Sequence, residues 1–186
     1  MTRLSPASAE AQQAVEAALA MAGAAMGFTP NSLKIMARQP AILRGFMALS
    51  GAVRGPGATL PRDLRQMIAH ITSAAAGCRY CQAHTSEQAS HSGVSAEKIA
   101  GLWSYETSDL FSEAERAALS LAQAAGSVPN QATDAHFDAL RAHFSEDEIT
   151  EIAWSALDRL SKRWHPEACK DEPAEIREGM GKIHNA

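Results

Sequence analysis

Apolar residues in this chain recur every three or four positions and nowhere alternate over a useful length, which is the pattern of amphipathic helices rather than strands. The clearest case runs from Pro61 to Ala76. There Leu64, Met67, Ile68, Ile71 and Ala74 form one stripe, and Gln66, His70 and Ser73 form a separate polar stripe ending beside Gly77. Upstream, Ser5-Pro6 reads as a helix start, with the hydroxyl as cap and proline in the first turn, and the helix is expected to reach about Gly27. Thr29-Pro30-Asn31-Ser32 opens a short helix ending near Gln39, and Pro40 opens another through about Val53. Arg54-Gly55-Pro56-Gly57 is the clearest loop. Beyond Gly77 a helix is predicted over Arg79 to Ser92, closed by Gly93, and a shorter one from Ser95 to about Trp103. Ser112 with Glu115 and Ser145 with Glu148 are capping-box pairs, heading helices over 113–125 and 146–164, with Asp134 to His143 helical between them. Pro166 ends the last helix and leaves a polar tail of about 166–186. The reading is all-α and single-domain over residues 1–186.

Composition supports that reading: 46% of the 186 residues are hydrophobic but only 5% aromatic, with alanine supplying much of the apolar share. Alanine is the best helix former and lets helices pack closely. The formal net charge of −4 gives no electrostatic footprint for nucleic acid and argues against a generic binder of anionic surfaces. No run approaches the ~18 apolar residues of a membrane span. After Met1-Thr2-Arg3 no apolar block follows, and Glu10 and Glu16 interrupt the alanine-rich stretch, so no signal peptide is read and the expected compartment is the cytoplasm. In a reducing compartment, paired cysteines point to catalysis or metal binding more than to a structural disulfide.

The chemistry is concentrated in Gly77-Cys78-Arg79-Tyr80-Cys81-Gln82-Ala83-His84, which holds two of the chain's three cysteines. On a helix, Cys81, His84, Thr85, Gln88 and His91 share a face with Cys78 at its start. Cysteines in a first helical turn meet unpaired N–H groups and the positive helix end, which favour the reactive thiolate, and Arg79 adds positive charge. His84 stands next to Cys81 and is suited to accept its proton. Helix-end reasoning taken alone favours Cys78, which lies nearer the helix N-terminus, as the attacking thiol. Gln66, His70 and the rest of the polar stripe on 61–76 can converge on the same turn, so a redox site with a proton path needs no distant residues. The same Cys78, Cys81 and His84, with His70 or His91, would also permit a zinc site.

With its following histidine and preceding glycine-ended helix, Cys78-x-x-Cys81 resembles the AhpD/carboxymuconolactone decarboxylase family in its alkylhydroperoxidase-like branch. The strongest match is Leu60 to Val94, the redox core at about 60–94. Weaker likeness runs through Gly27-Phe28-Thr29-Pro30-Asn31-Ser32, Phe111-Ser112-Glu113-Ala114-Glu115-Arg116 and Arg163-Trp164. The resemblance implies an AhpD-like helical bundle and a thiol peroxidase, in which Cys81 attacks a hydroperoxide and becomes a sulfenic acid that Cys78 resolves. It also implies an external dithiol or disulfide reductase as electron donor, no bound cofactor or metal, and a homo-oligomer. Gln66 stands where the family has a glutamate, and Thr85 stands where the best-known members have histidine, with His84 one residue earlier. His70 is placed to take over the proton relay. The alternatives are a redox sensor or thiol–disulfide exchange protein without efficient turnover, a lactone decarboxylase and a zinc-binding protein.

Other conspicuous residues read as structural. Cys169 lies in the polar tail as a non-catalytic thiol. His136 and His143 are surface residues, and Trp154, Leu157, Leu160 and Trp164 are core or subunit contacts.

Overall fold

A computed structural model describes residues 4–160. They form ten α-helices and one short 3₁₀ turn, and among these residues there is no strand. In chain order the helices are α1 (Ala9–Gln13), α2 (Glu16–Met26), α3 (Asn31–Met36), α4 (Pro40–Arg54), α5 (Arg62–Ala75), α6 (Arg79–His91), α7 (Ala96–Ala100), α8 (Glu113–Gly126), α9 (Asp134–Arg141) and α10 (Glu146–Leu160). The all-α expectation holds. Arg163, Trp164, Cys169 and the polar tail lie outside the described residues.

Local chemistry explains most of the boundaries. Ser112 accepts from the Glu115 amide while the Glu115 carboxylate accepts from the Ser112 amide at 2.9 Å, so the expected capping box heads α8. The equivalent Ser145–Glu148 pair heads α10. Pro40 occupies the first turn of α4, where its missing N–H costs nothing. The N-terminal helix differs from expectation. It begins after Ser8 rather than at Ser5, because the Ser8 hydroxyl accepts the Ala11 amide, and it breaks at Ala14–Val15 into α1 and α2.

Helix α5 is the axis of the molecule. Leu64 through Ser73 are buried without interruption, so its polar stripe is enclosed as fully as its apolar one, while Ala74 at its end is half-buried. The apolar stripe enters a core built with Leu119, Leu121 and Ala122 of α8, Ile149 and Ile152 of α10, and Leu102, Tyr105 and Phe111 of the connecting segment. A second core joins Val15 and Ala22 to Leu33 and Met36 of α3 and Leu43 of α4. Trp154 and Leu157, expected in a core or a subunit contact, are exposed on this chain at 45% each, which removes the first of those two readings.

Candidate functional site

The turn between α5 and α6 sets the site. Gly77 adopts φ +67°, the left-handed region where a side chain would be strained. Its amide donates to the Ala74 carbonyl at 2.9 Å and the Cys78 amide donates to the Ser73 carbonyl at 2.9 Å, the paired bonds of a Schellman ending. The chain therefore leaves α5 with Cys78 fixed. That residue is at once the third residue beyond α5 and the N-cap of α6, where its sulfur accepts the Cys81 amide at 3.2 Å. A pair spaced C-x-x-C on such a cap is brought together by the first turn alone. Cys78 and Cys81 form a disulfide, with Cα atoms 5.3 Å apart, inside the ordinary range for such bridges.

Above the pair lies a cleft of about 690 Å³, bounded by α2, α3, α4, α5 and α6. Cys81 lines it and Cys78 does not, although both residues are buried. His84 also lines the cleft, buried against two rings, with centroids 4.4 Å from Tyr80 and 5.6 Å from Phe28. The Tyr80 hydroxyl reaches Ser32 at 3.4 Å, joining α6 to α3. Gln66 faces the same space from α5. Its Oε1 is buried and has no hydrogen-bond partner among the described residues, so the cleft presents an unused acceptor.

The sequence-predicted residues divide accordingly. Cys81, His84 and Gln66 converge on the cleft, with Gln88 and His91 further along α6, where His91 pairs with Glu87 at 3.3 Å. His70 does not reach the lining. It lies beneath, with Nδ1 3.1 Å from the Thr85 hydroxyl, which in turn lies 2.8 Å from the Cys81 carbonyl. Burial pulls its pKa down to about 4, a shift the Gln82 carbonyl only partly opposes, so His70 is neutral at physiological pH. Ser73 bonds back to the Ala69 carbonyl at 2.6 Å. Cys78 and Cys81 are committed to one another, and no group of three His, Cys, Asp or Glu side chains suited to a metal exists among the described residues.

Sequence reasoning did not single out Arg54, Arg62 and Arg65, all of which line the cleft. The available signal was that Arg62, Arg65 and Gln66 fall on one face of α5; nothing local indicated that α4 would bring Arg54 beside them.

Fold and site together define an all-helical protein carrying a cap-positioned CxxC beneath an open cleft. Residues 40–124 match the model of the carboxymuconolactone decarboxylase family. Among solved structures, the debrominase Bmp8 in its apo form superposes with a TM-score of 0.86, at 30% identity over 98% of both chains. A cysteine-to-alanine variant of Bmp8 in complex with 2,3,4-tribromopyrrole gives the same TM-score and coverage at 29% identity. An alkylhydroperoxidase AhpD core protein from Ralstonia eutropha JMP134, at 23% identity, shares the fold with a TM-score of 0.75 over 87% of this chain and 86% of that one. The uncharacterized protein YnjA of Escherichia coli K12 is 34% identical over 99 residues, 53% of each chain, so the match spans about half the length of that relative. The chain belongs to the AhpD-like carboxymuconolactone decarboxylase family.

Proposed function

We propose that this chain is a dithiol-dependent reductase of small organic electrophiles, with organic hydroperoxides as its substrate class. The observation that carries the reading is that Cys81, one half of a closed CxxC pair, lines the cleft while its partner lies just outside it. In the reduced protein the Cys81 thiolate attacks the terminal oxygen of the hydroperoxide. The O–O bond breaks, the terminal OH passes to sulfur as a sulfenic acid, and the alkoxide leaves as alcohol after taking a proton. The Cys78 thiol then attacks the Cys81 sulfur, forming the disulfide and releasing water. An external dithiol restores both thiols and is itself oxidised to a disulfide, which closes the electron balance.

His84 is the group placed to move the proton, since it shares the cleft with Cys81. Gln66 has no proton to exchange as a base and serves instead as the acceptor that orients the substrate's O–H. His70 is a positioning residue: neutral and bonded to Thr85, it fixes the first turn of α6 through the Cys81 carbonyl. Cys78, at the cap of α6 and within bonding reach of Cys81, is suited to resolve the sulfenic acid.

The likeness to Bmp8 over nearly the whole of both chains favours a second reading with the same sulfurs. A halogenated aromatic ring gains a proton at carbon and yields its halogen to Cys81. Cys78 then displaces halide, so that dithiol and aryl halide become disulfide, arene and hydrogen halide. The two readings separate in one assay, with dithiothreitol as donor and either cumene hydroperoxide or 2,3,4-tribromopyrrole as substrate. Consumption of the peroxide that disappears in Cys81→Ser supports the first. Bromide release without peroxide consumption replaces it with the second. Full peroxide turnover by Cys81→Ser overturns both assignments of that sulfur.

A further inference from the structure

Among the described residues the charge of the cleft lining has a sign opposite to that of the chain. Overall the protein carries 17 Lys and Arg against 21 Asp and Glu, yet the Arg, Lys, Asp and Glu side chains lining the cleft among the described residues are Arg54, Arg62 and Arg65 against Glu87. Glu87 is paired with His91 on α6. The arginines come from two adjoining segments, the end of α4 and the first turn of α5.

Arg65 is the informative member. It is 8% exposed, and its Nη1 donates to the Val53 carbonyl at 3.2 Å. Its Nε is buried and has no hydrogen-bond acceptor among the described residues. Its ion-pair partner there is Glu151, whose Oε1 stands 3.9 Å from that Nε, too long for a hydrogen bond. The other oxygen of Glu151, Oε2, accepts from the Thr59 amide and hydroxyl at 2.8 Å each, while Oε1 accepts from the Leu60 amide at 3.4 Å. Burial pulls the Arg65 guanidinium below its ordinary range. Glu151 opposes that, and the charges of Arg62 and Arg54 add to it. A buried guanidinium crowded by two like charges and left with an unused donor is what an anionic ligand would relieve. Met26, Phe28, Leu33, Phe46 and Met47, from α2 to α4, give the same cleft an apolar lining. The two surfaces suit different parts of one molecule.

We infer that the cleft takes an organic anion, a carboxylate on an apolar body, with the carboxylate held at Arg54, Arg62 and Arg65 and the body lying against the α2–α4 wall. Gln66 follows Arg65 in the chain and faces the same space as Cys81, so the anionic end and the reacting end are read from one helix. This assignment rests on the cleft being the substrate site of the reaction proposed above, but it concerns binding and not turnover.

The test is therefore made on the oxidised, disulfide form, where no electron transfer intervenes. Binding of 4-phenylbutyrate and of its neutral amide is measured by titration calorimetry at low and at high ionic strength. The carboxylate is expected to bind at least ~10-fold more tightly, an advantage of the size a charge-assisted contact provides, and the advantage shrinks with salt. In Arg54→Gln/Arg62→Gln the two ligands should bind within about threefold of one another, and Arg65→Lys should weaken the carboxylate alone, because lysine keeps the charge but loses the planar fork. Equal binding of acid and amide by the native protein overturns the assignment, as does a preference untouched in the double variant, or no carboxylate binding at all. A native protein that shows no charge preference yet reduces cumene hydroperoxide refutes the anion site and leaves the reaction standing. A firm preference in a protein inert to peroxide and bromopyrrole does the reverse.

Discussion

His70 illustrates how a residue beneath a site makes itself felt. Its ring is neutral because burial holds the pKa near 4, well below the ordinary value of 6.5. The unfolded chain takes up a proton in that interval that the folded chain refuses, so stability is full above about pH 6.5 and falls as the pH drops toward 4. The difference amounts to about 3 kcal/mol by linkage. Urea unfolding at pH 7 and pH 4.5 should show this loss in the native protein and a shallower one in His70→Gln; identical slopes in the two would contradict it. The two sulfurs predict a different asymmetry. Cys78→Ser should still be oxidised at Cys81 by cumene hydroperoxide and, lacking its neighbour, should accumulate a sulfenic acid that dimedone traps as a mass adduct. Cys81→Ser should give no adduct at Cys78, which lies off the cleft.

At the scale of elements, the close approach of α8 to α5 is a tight constraint between two distant helices. A methyl group at Gly126 would come within 2.8 Å of the Thr72 carbonyl oxygen and 3.2 Å of its Cα, both backbone atoms that cannot swing aside. Gly126→Ala is expected to cost about 1–3 kcal/mol by overpacking, read as an earlier midpoint in chemical denaturation, and an unchanged midpoint would show that the helices separate freely. Nothing in the sequence distinguishes Gly126 from other glycines, since the contact is made by a helix some fifty positions earlier. Gly77 was legible for the opposite reason. Its role is local: it stops α5 and starts the CxxC turn, and its neighbours in sequence are its partners in space. The capping boxes at Ser112 and Ser145 were legible on the same ground. Ser5 misled because an equally good capping hydroxyl at Ser8 lies one turn further on, and the chain uses that one.

At the scale of the molecule, the cleft exists because two cores meet along it, one centred on α5, α8 and α10 and the other on α2 to α4. The α6 face carrying Cys81 and His84 could be read from helical spacing, and so could the polar stripe with Gln66. What faces them could not: Phe28, Ser32 and the three arginines arrive from loops and helices whose packing no local pattern specifies. His70 was assigned to the correct stripe, but its depth beneath Thr85 depends on how α5 and α6 pack. No helix among the described residues is long and apolar enough to cross a membrane. The account as a whole turns on two electrons leaving the Cys78–Cys81 dithiol for a molecule in the cleft. The most direct measurement mixes the reduced protein, free of external thiol, with one equivalent of cumene hydroperoxide or 2,3,4-tribromopyrrole, and counts free thiols and product together. The account predicts that with at least one of them two thiols are lost per molecule of alcohol or bromide formed, with Cys78 and Cys81 recovered as a disulfide. Thiols that persist with both substrates, or product formed without their loss, would contradict it.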